Sequence, residues 1–305
     1  MARRAPAART GPLEAYLLHR YDWSESSLII ELFTRERGRV AAVARGAKRP
    51  YSQFRSILLP FQRVWVTLGA AGKDEAADIH PLKQAEWAGG GPLVPPAALF
   101  SAYYANELII KSLARHDAHP VLFDSYAATL ATLAAGHDTL TQAALRAFEL
   151  RLLEQTGLLP DLGTSTLTLQ PLREAERYAL RPESGVVATA EPTGSFSSAD
   201  LLALQQALAH GTPAALQGAC LPCLPALRAS LRGLLHYHLG TSQLRTRQVM
   251  QSVQRLIDGA PGVPASAVPE ALAVAADLDT APLAKPVAPF PSSPPNSPAT
   301  AHVPP

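Results

Sequence analysis

The sequence predicts an α+β chain, in which a run of short strands precedes a helical domain that carries an inserted β-hairpin. Three observations carry this. Short β-like runs, alternating in residues 39–46 and 60–68, give way after residue 97 to apolar residues about every 3.6 positions. Gly89-Gly90-Gly91-Pro92 and Pro95-Pro96 punctuate the change. Charge divides at nearly the same place: residues 1–63 hold twelve Lys or Arg against five acids, and the remainder holds fifteen against twenty. The net charge of +2 therefore hides a two-signed molecule, and local field rather than net charge steers polyanions.

The elements follow in order. Residues 1–12 start with positive charge, but no apolar stretch follows before Glu14 and His19, so a disordered basic arm is expected rather than a signal peptide. Strands are expected over residues 14–21 (EAYLLHRY) and 27–33 (SLIIELF), which are dense in β-formers. Arg35, Glu36, Arg37 and Gly38 make a turn in which glycine supplies positive φ. Residues 39–46 alternate, so that Arg39 and Arg45 share a face and are expected to project together. The loop over residues 47–56 adds Lys48, Arg49 and Arg55 around Tyr51 and Phe54. Residues 60–68 alternate again, with Val64, Val66 and Leu68 on one face and Arg63 and Trp65 on the other. Trp65 suits either a core or barrel-end aromatic or a platform for stacked bases. A fifth strand is placed within residues 76–82.

Five strands in so short a stretch, with one cationic face and loop, suit a small closed barrel of the oligonucleotide-binding (OB-fold) kind over residues 13–88. Such barrels track phosphates with Lys and Arg and stack bases on aromatic rings. On this reading Arg35, Arg37, Arg39, Arg45, Lys48, Arg49, Arg55, Arg63 and Trp65 are candidate DNA contacts. They would fix position without reading bases. A solvated basic face is the plainer account of the same run.

The helical domain is expected over residues 95–258. Its first three helices are placed at 97–115, 121–135 (ended by Gly136) and 140–155 (stopped by Gly157 and Pro160). Residues 161–196 contain RYALRPESGVVA, read as a hairpin inserted between helices. Ser198 is read as the cap of a helix bearing Leu201, Leu204 and Leu208. Helices over 224–239 and 242–257 complete the bundle. Residues 259–305 hold twelve Pro and twelve Ala among 47 positions with no apolar period, so a disordered extension is expected.

Catalysis is not expected. Cys220-Leu221-Pro222-Cys223 has the spacing of half a zinc site, yet no second pair accompanies it, and His236 and His238 lie on different sides of a helix. His116 and His119 are explained by a helix end. No phosphate-binding G-x-x-x-x-G-K-[ST] loop, no G-x-S-x-G elbow and no magnesium-holding carboxylate cluster is present. No metal or cofactor is expected. Two cysteines agree with a reducing compartment, and no apolar run reaches the ~18 residues of a membrane span, so a cytoplasmic location is expected. Two other classes compete with this reading. One is a non-catalytic adaptor that bridges proteins while its barrel touches RNA or nothing; the other is a metal-dependent nuclease, which lacks its carboxylates.

The order of these features resembles the bacterial recombination and repair mediator family RecO. The matching stretches are LLHRYDWSESSLIIELFTRERGRV (17–40), VARGAKRPYSQFRSILLPF (43–61), YANELIIKSL (104–113), ALRAFELRLLEQTGLLP (144–160) and LLHYHLGTSQLRTRQVM (234–250). The resemblance implies an OB-fold barrel and a helical domain with an inserted hairpin region. It further implies binding of single- and double-stranded DNA, annealing of complementary strands, and contact with the acidic C-terminal tail of the single-strand-binding protein. In the RecF pathway such proteins work with RecR to load RecA, at the nucleoid. The family's basic loop falls on Lys48, Arg49 and Arg55, preceded by Arg45, and its tail-binding arginine on Arg146. Some members hold zinc through four cysteines after Gly-Leu-Leu-Pro; residues 161–196 here contain none, so that version is not expected.

Overall fold

The structure is a computed structural model that describes residues 11–70, 78–89, 91, 93–240 and 244–258. The expected basic arm up to residue 10 and the Pro/Ala-rich tail lie outside the described residues. Strands β1 (Leu13–Asp22), β2 (Leu28–Thr34), β3 (Gly38–Ala44), β4 (Arg63–Leu68) and β5 (Ile79–Trp87) close into a barrel in the order β1-β2-β3-β5-β4. All pairings are antiparallel except β3 with β5. A short helix, α1 (Gln53–Ile57), forms where a loop was expected. The fifth strand also runs later than residues 76–82.

Alternation fills the barrel. Ala15, Leu17, Ile30, Leu32, Val40, Ala42, Val64 and Val66 point inward and are buried. The outer faces of β1 and β2 are buried as well: Tyr16 and its cross-strand partner Phe33 alternate with the inward residues and, with Leu18, enter a second core. There Tyr16 lies 5.2 Å from Phe123 and 5.1 Å from Tyr126, ring centre to ring centre. Burial on both faces is why SLIIELF reads as a continuous apolar run rather than an alternating one.

The second core belongs to the helices: α2 (Leu99–Ser112), α3 (Pro120–Ala135), α4 (Asp138–Gln155), α5 (Ser198–His210), α6 (Pro213–Cys220), α7 (Leu224–Leu239) and α8 (Arg245–Asp258). Helix α4 lies at its centre and touches α2, α3, α6 and α7. Gly136 and Gly240 end α3 and α7 in the left-handed conformation. The cap of α5 is Ser197 rather than Ser198: its hydroxyl accepts from the Asp200 amide while the Asp200 carboxylate accepts from the Ser197 amide. Helix α6, which starts at Pro213 with the Thr212 hydroxyl accepting from the Ala215 amide, was not expected. The inserted hairpin is present as β6 (Arg177–Arg181) and β7 (Gly185–Thr189), with β8 (Phe196–Ser197) added on the other side of β6.

Barrel and helices are joined by polar contacts as well as by rings. Asn106 of α2 donates to the carbonyl of Leu18 at 2.9 Å and accepts from the Tyr126 hydroxyl at 2.5 Å. The loop after α2 also returns to the barrel: the amide of His116 donates to the carbonyl of Arg39 at 2.9 Å. At the start of α8, the Glu107 carboxylate of α2 accepts from the amides of Arg245 and Thr246 at 2.8 and 2.9 Å.

Candidate nucleic-acid interface

The cations of the N-terminal region separate into two populations, one engaged with the chain's own groups and one facing water. Arg35, Arg37 and Arg39 surround the β2–β3 turn, which abuts the helical domain. Arg35 makes a two-pronged contact with Asp124 of α3 at 3.1 and 3.0 Å. Arg37 lies 3.3 Å from Nε2 of His80. Arg39 is withdrawn furthest, its side chain only 11% exposed. Its guanidinium donates to the carbonyls of Ile110 and Leu113 at 2.5 and 2.6 Å and lies 3.4 Å from the buried Glu31 carboxylate, which Arg115 also contacts. Cations commonly occupy the C-terminal turn of a helix because its carbonyls are unsatisfied there. The expectation that Arg39 and Arg45 project together therefore fails: Arg39 rivets α2 to the barrel, and Arg45 at the far end of the strand is exposed. Arg39 leaves the set of candidate DNA contacts.

On β4, Arg63 and Trp65 do point outward, opposite Val64 and Val66. Trp65 is 38% exposed, so it is no core aromatic. Its cross-strand neighbours, however, are Glu14 on β1 and Glu86 on β5, and Arg63 is itself paired with Glu14. This patch carries its own acids and is poorly suited to a polyanion.

The segment from Arg45 to Leu58 is different. It leaves β3 and crosses one end of the barrel, held by the Lys48 amide on the Ser26 carbonyl (3.0 Å), by the Lys48 ammonium on Asp22 (2.6 Å), and by buried Ala47 and Leu58. A groove lies on each side of it. One, of about 570 Å³, is lined by Arg45, Arg49, Tyr51, Phe54, Lys83 and Gln84. The other, of about 290 Å³, is lined by Arg20, Asp22, Lys48, Phe54, Arg55 and Leu58. Among the described residues, no carboxylate lies within ion-pairing distance of Arg45, Arg49, Arg55 or Lys83. Tyr51 stands fully exposed on the side of the segment that faces the larger groove. Guanidinium and ammonium groups interleaved with an exposed ring are what a polynucleotide requires.

Lys83 was missed in the sequence because the fifth strand was placed too early. The β4–β5 pairing skips a residue, Thr67 opposing Gln84 and Leu68 opposing Leu82, so Lys83 is the extra residue of a bulge and faces out. Of the nine candidates, the structure gathers Arg45, Lys48, Arg49 and Arg55, and leaves Arg35, Arg37, Arg39, Arg63 and Trp65 outside both grooves.

Arg146 lies in the helical domain, on α4. Its guanidinium pairs with Glu149 at 2.6 Å; the two side chains are 12% and 0% exposed. The Tyr104 hydroxyl also donates to Glu149 at 2.6 Å, whereas the second Glu149 oxygen and Nε of Arg146 are buried with no hydrogen-bond partner. Burial pushes the Glu149 carboxyl above the ordinary carboxylate range, against the opposing pull of Arg146, Tyr104 and Arg232. Nearby, burial raises both thiols, Cys223 to about 12, which makes them inert core residues. Among the described residues, no three His, Cys, Asp or Glu side chains converge as metal ligands, and no helix is long and apolar enough to cross a membrane.

Comparison with known proteins agrees with this division of the chain. Residues 12–89 match the family model described as "Recombination protein O N terminal", and residues 96–248 the one described as "Recombination protein O C terminal". The chain is 52% identical to the DNA repair protein RecO of Polaromonas naphthalenivorans over 245 residues, covering 79% of this chain and 96% of that one. It is 49% identical to the RecO of Variovorax paradoxus over 261 residues (83% and 100%) and 44% identical to that of Delftia acidovorans over 256 residues (83% and 100%). With both halves of the fold matched and nearly the full length of these relatives covered, the chain belongs to the RecO family.

Proposed function

We propose that this chain is a non-catalytic mediator of recombinational DNA repair that binds single- and double-stranded DNA and anneals complementary strands. The observation that carries this reading is the set of exposed cations Arg45, Arg49, Arg55 and Lys83 on one end of the barrel, without acidic partners among the described residues. Annealing requires two polyanions to approach, and fixed cations lower their repulsion without chemistry. The partners implied by family membership are the tail of the single-strand-binding protein, at Arg146, together with RecR and, through it, RecA. The carboxylate-rich peptide end would compete with Glu149 for the Arg146 guanidinium. Work at the nucleoid, in the cytoplasm, fits a chain of this kind.

The test is annealing of complementary strands precoated with single-strand-binding protein, without ATP or Mg²⁺. The expected result is accelerated pairing of uncut strands, lost when the coating protein lacks its acidic end. Bridging of partner proteins with no DNA affinity across a salt series would support the adaptor reading instead.

A further inference from the structure

The two grooves are separate, and the wall between them is fixed. Phe54 lines both and packs against the barrel core with Ile57, while the Lys48 amide on Ser26 and the Gly46 amide on the Ser27 hydroxyl (3.4 Å) hold the base of the segment to the β1–β2 turn. The segment therefore cannot fold into either groove and merge them. Each groove carries positive charge of its own: Arg45, Arg49 and Lys83 on the β5 side, and Arg20, Lys48 and Arg55 against the single acid Asp22 on the β1 side. One polynucleotide backbone needs only one such track, and the second track is unexplained by binding a single strand.

We propose that one barrel holds two separate DNA strands at once, one backbone in each groove, with the segment carrying Phe54 as the ridge over which their bases would meet and Tyr51 exposed on its larger-groove side. The proposal rests on the reading of the chain as a DNA-annealing protein and specifies how the barrel does it. Each strand's phosphates are drawn to their own cations, so the wall keeps the backbones apart while the bases stay free to search for complements on the ridge. The Lys48–Asp22 pair pins the wall rather than binding DNA, and Arg55 is the main phosphate contact of the smaller groove, with Arg20 adding charge to its lining.

The test is stoichiometric titration of the full-length chain with an oligothymidylate of about eight nucleotides, within the footprint of one such barrel. Oligothymidylate does not pair with itself, so a second equivalent bound is a second strand. The expected result is two oligonucleotides per chain, falling to one in Arg49→Ala/Lys83→Ala and to one in Arg20→Ala/Arg55→Ala. Annealing should slow at least tenfold in each double variant. Arg181→Ala, which removes an exposed charge on β6 in the helical domain, should keep two. A single equivalent on the unaltered chain, with annealing intact, would overturn the two-strand arrangement and leave the functional reading standing. Absence of any binding would overturn both. Complete loss of binding in either double variant would show one shared site and equally refute the proposal.

Discussion

Asn106 and Leu18, 88 residues apart in sequence, meet through a 2.9 Å hydrogen bond from the side-chain amide to the backbone carbonyl, with both groups buried. The bond exists because the β1 bulge between Leu17 and His19 turns the Leu18 peptide toward α2, and the Tyr126 hydroxyl completes the amide's other side. Asn106→Leu should lower stability by about 1–3 kcal/mol, since it strands a buried carbonyl and a buried hydroxyl together. Chemical denaturation checks this, and DNA affinity below the unfolding transition should be unaltered.

The β2–β3 turn offers a harsher test. Gly38 has φ +63°, and a Cβ added there would collide with the carbonyl of Asp117. Gly38→Ala should cost more than about 1 kcal/mol, combining an unfavourable backbone conformation with a clash against main chain that has no room to yield. The two grooves lie at the opposite end of β3, so the salt dependence of DNA binding should be preserved.

Arginine position, not arginine number, should govern binding. Arg39→Ala should destabilise the fold by about 1–3 kcal/mol, because the Ile110 and Leu113 carbonyls lose their donor, while the slope of affinity against salt stays unchanged. The triple change Arg45→Ala, Arg49→Ala and Lys83→Ala should do the reverse. It should leave the denaturation midpoint nearly constant and flatten the log–log slope on single strands by about two, at about 0.7 per phosphate contact.

Tyr51 separates stacking from charge. Tyr51→Ala should weaken single-strand binding by about 1–3 kcal/mol with no change in salt slope, since it removes a ring and no cation. Anisotropy titrations at several salt concentrations report both quantities.

At the buried pair on α4, pH is the probe. The folded chain raises the Glu149 pKa, so it takes up a proton at a pH where the unfolded chain, near the ordinary value of about 4.3, does not. Glu149 therefore adds stability as pH falls through its raised value, and the gain is complete below the unfolded value. The stability difference between the natural chain and Glu149→Gln should grow in favour of the natural chain as pH is lowered from neutrality toward the ordinary carboxylate value of about 4.3. The same protonation releases the Arg146 guanidinium, so an acidic peptide should bind more tightly over that interval. Arg146→Ala should abolish peptide binding and leave DNA affinity within a few-fold.

Much of this architecture is written locally. The barrel follows from period-two alternation and the turn glycine at 38, and the helices from period and terminators. What local reading could not do was sort the arginines. Arg35 finds Asp124 and Arg39 finds the end of α2 across long stretches of chain, and only folding brings Glu14 beside Arg63. A charge run in sequence records the supply of cations and not their disposition. Lys83 escaped for a related reason: a bulge defeats alternation at the one position where the extra residue matters.

The double-sided burial of β1 and β2 has a bearing on how the molecule can be divided. Tyr16, Leu18 and Phe33 belong to the helical interior, although the chain reaches that interior only beyond residue 96. A cut near Gly89 would follow a boundary of sequence while tearing through a shared hydrophobic seam, leaving an aromatic wound on each fragment. On the proposed function, a strand held at the barrel grooves and a peptide held at Arg146 would be coupled across this shared seam and not through the intervening chain alone.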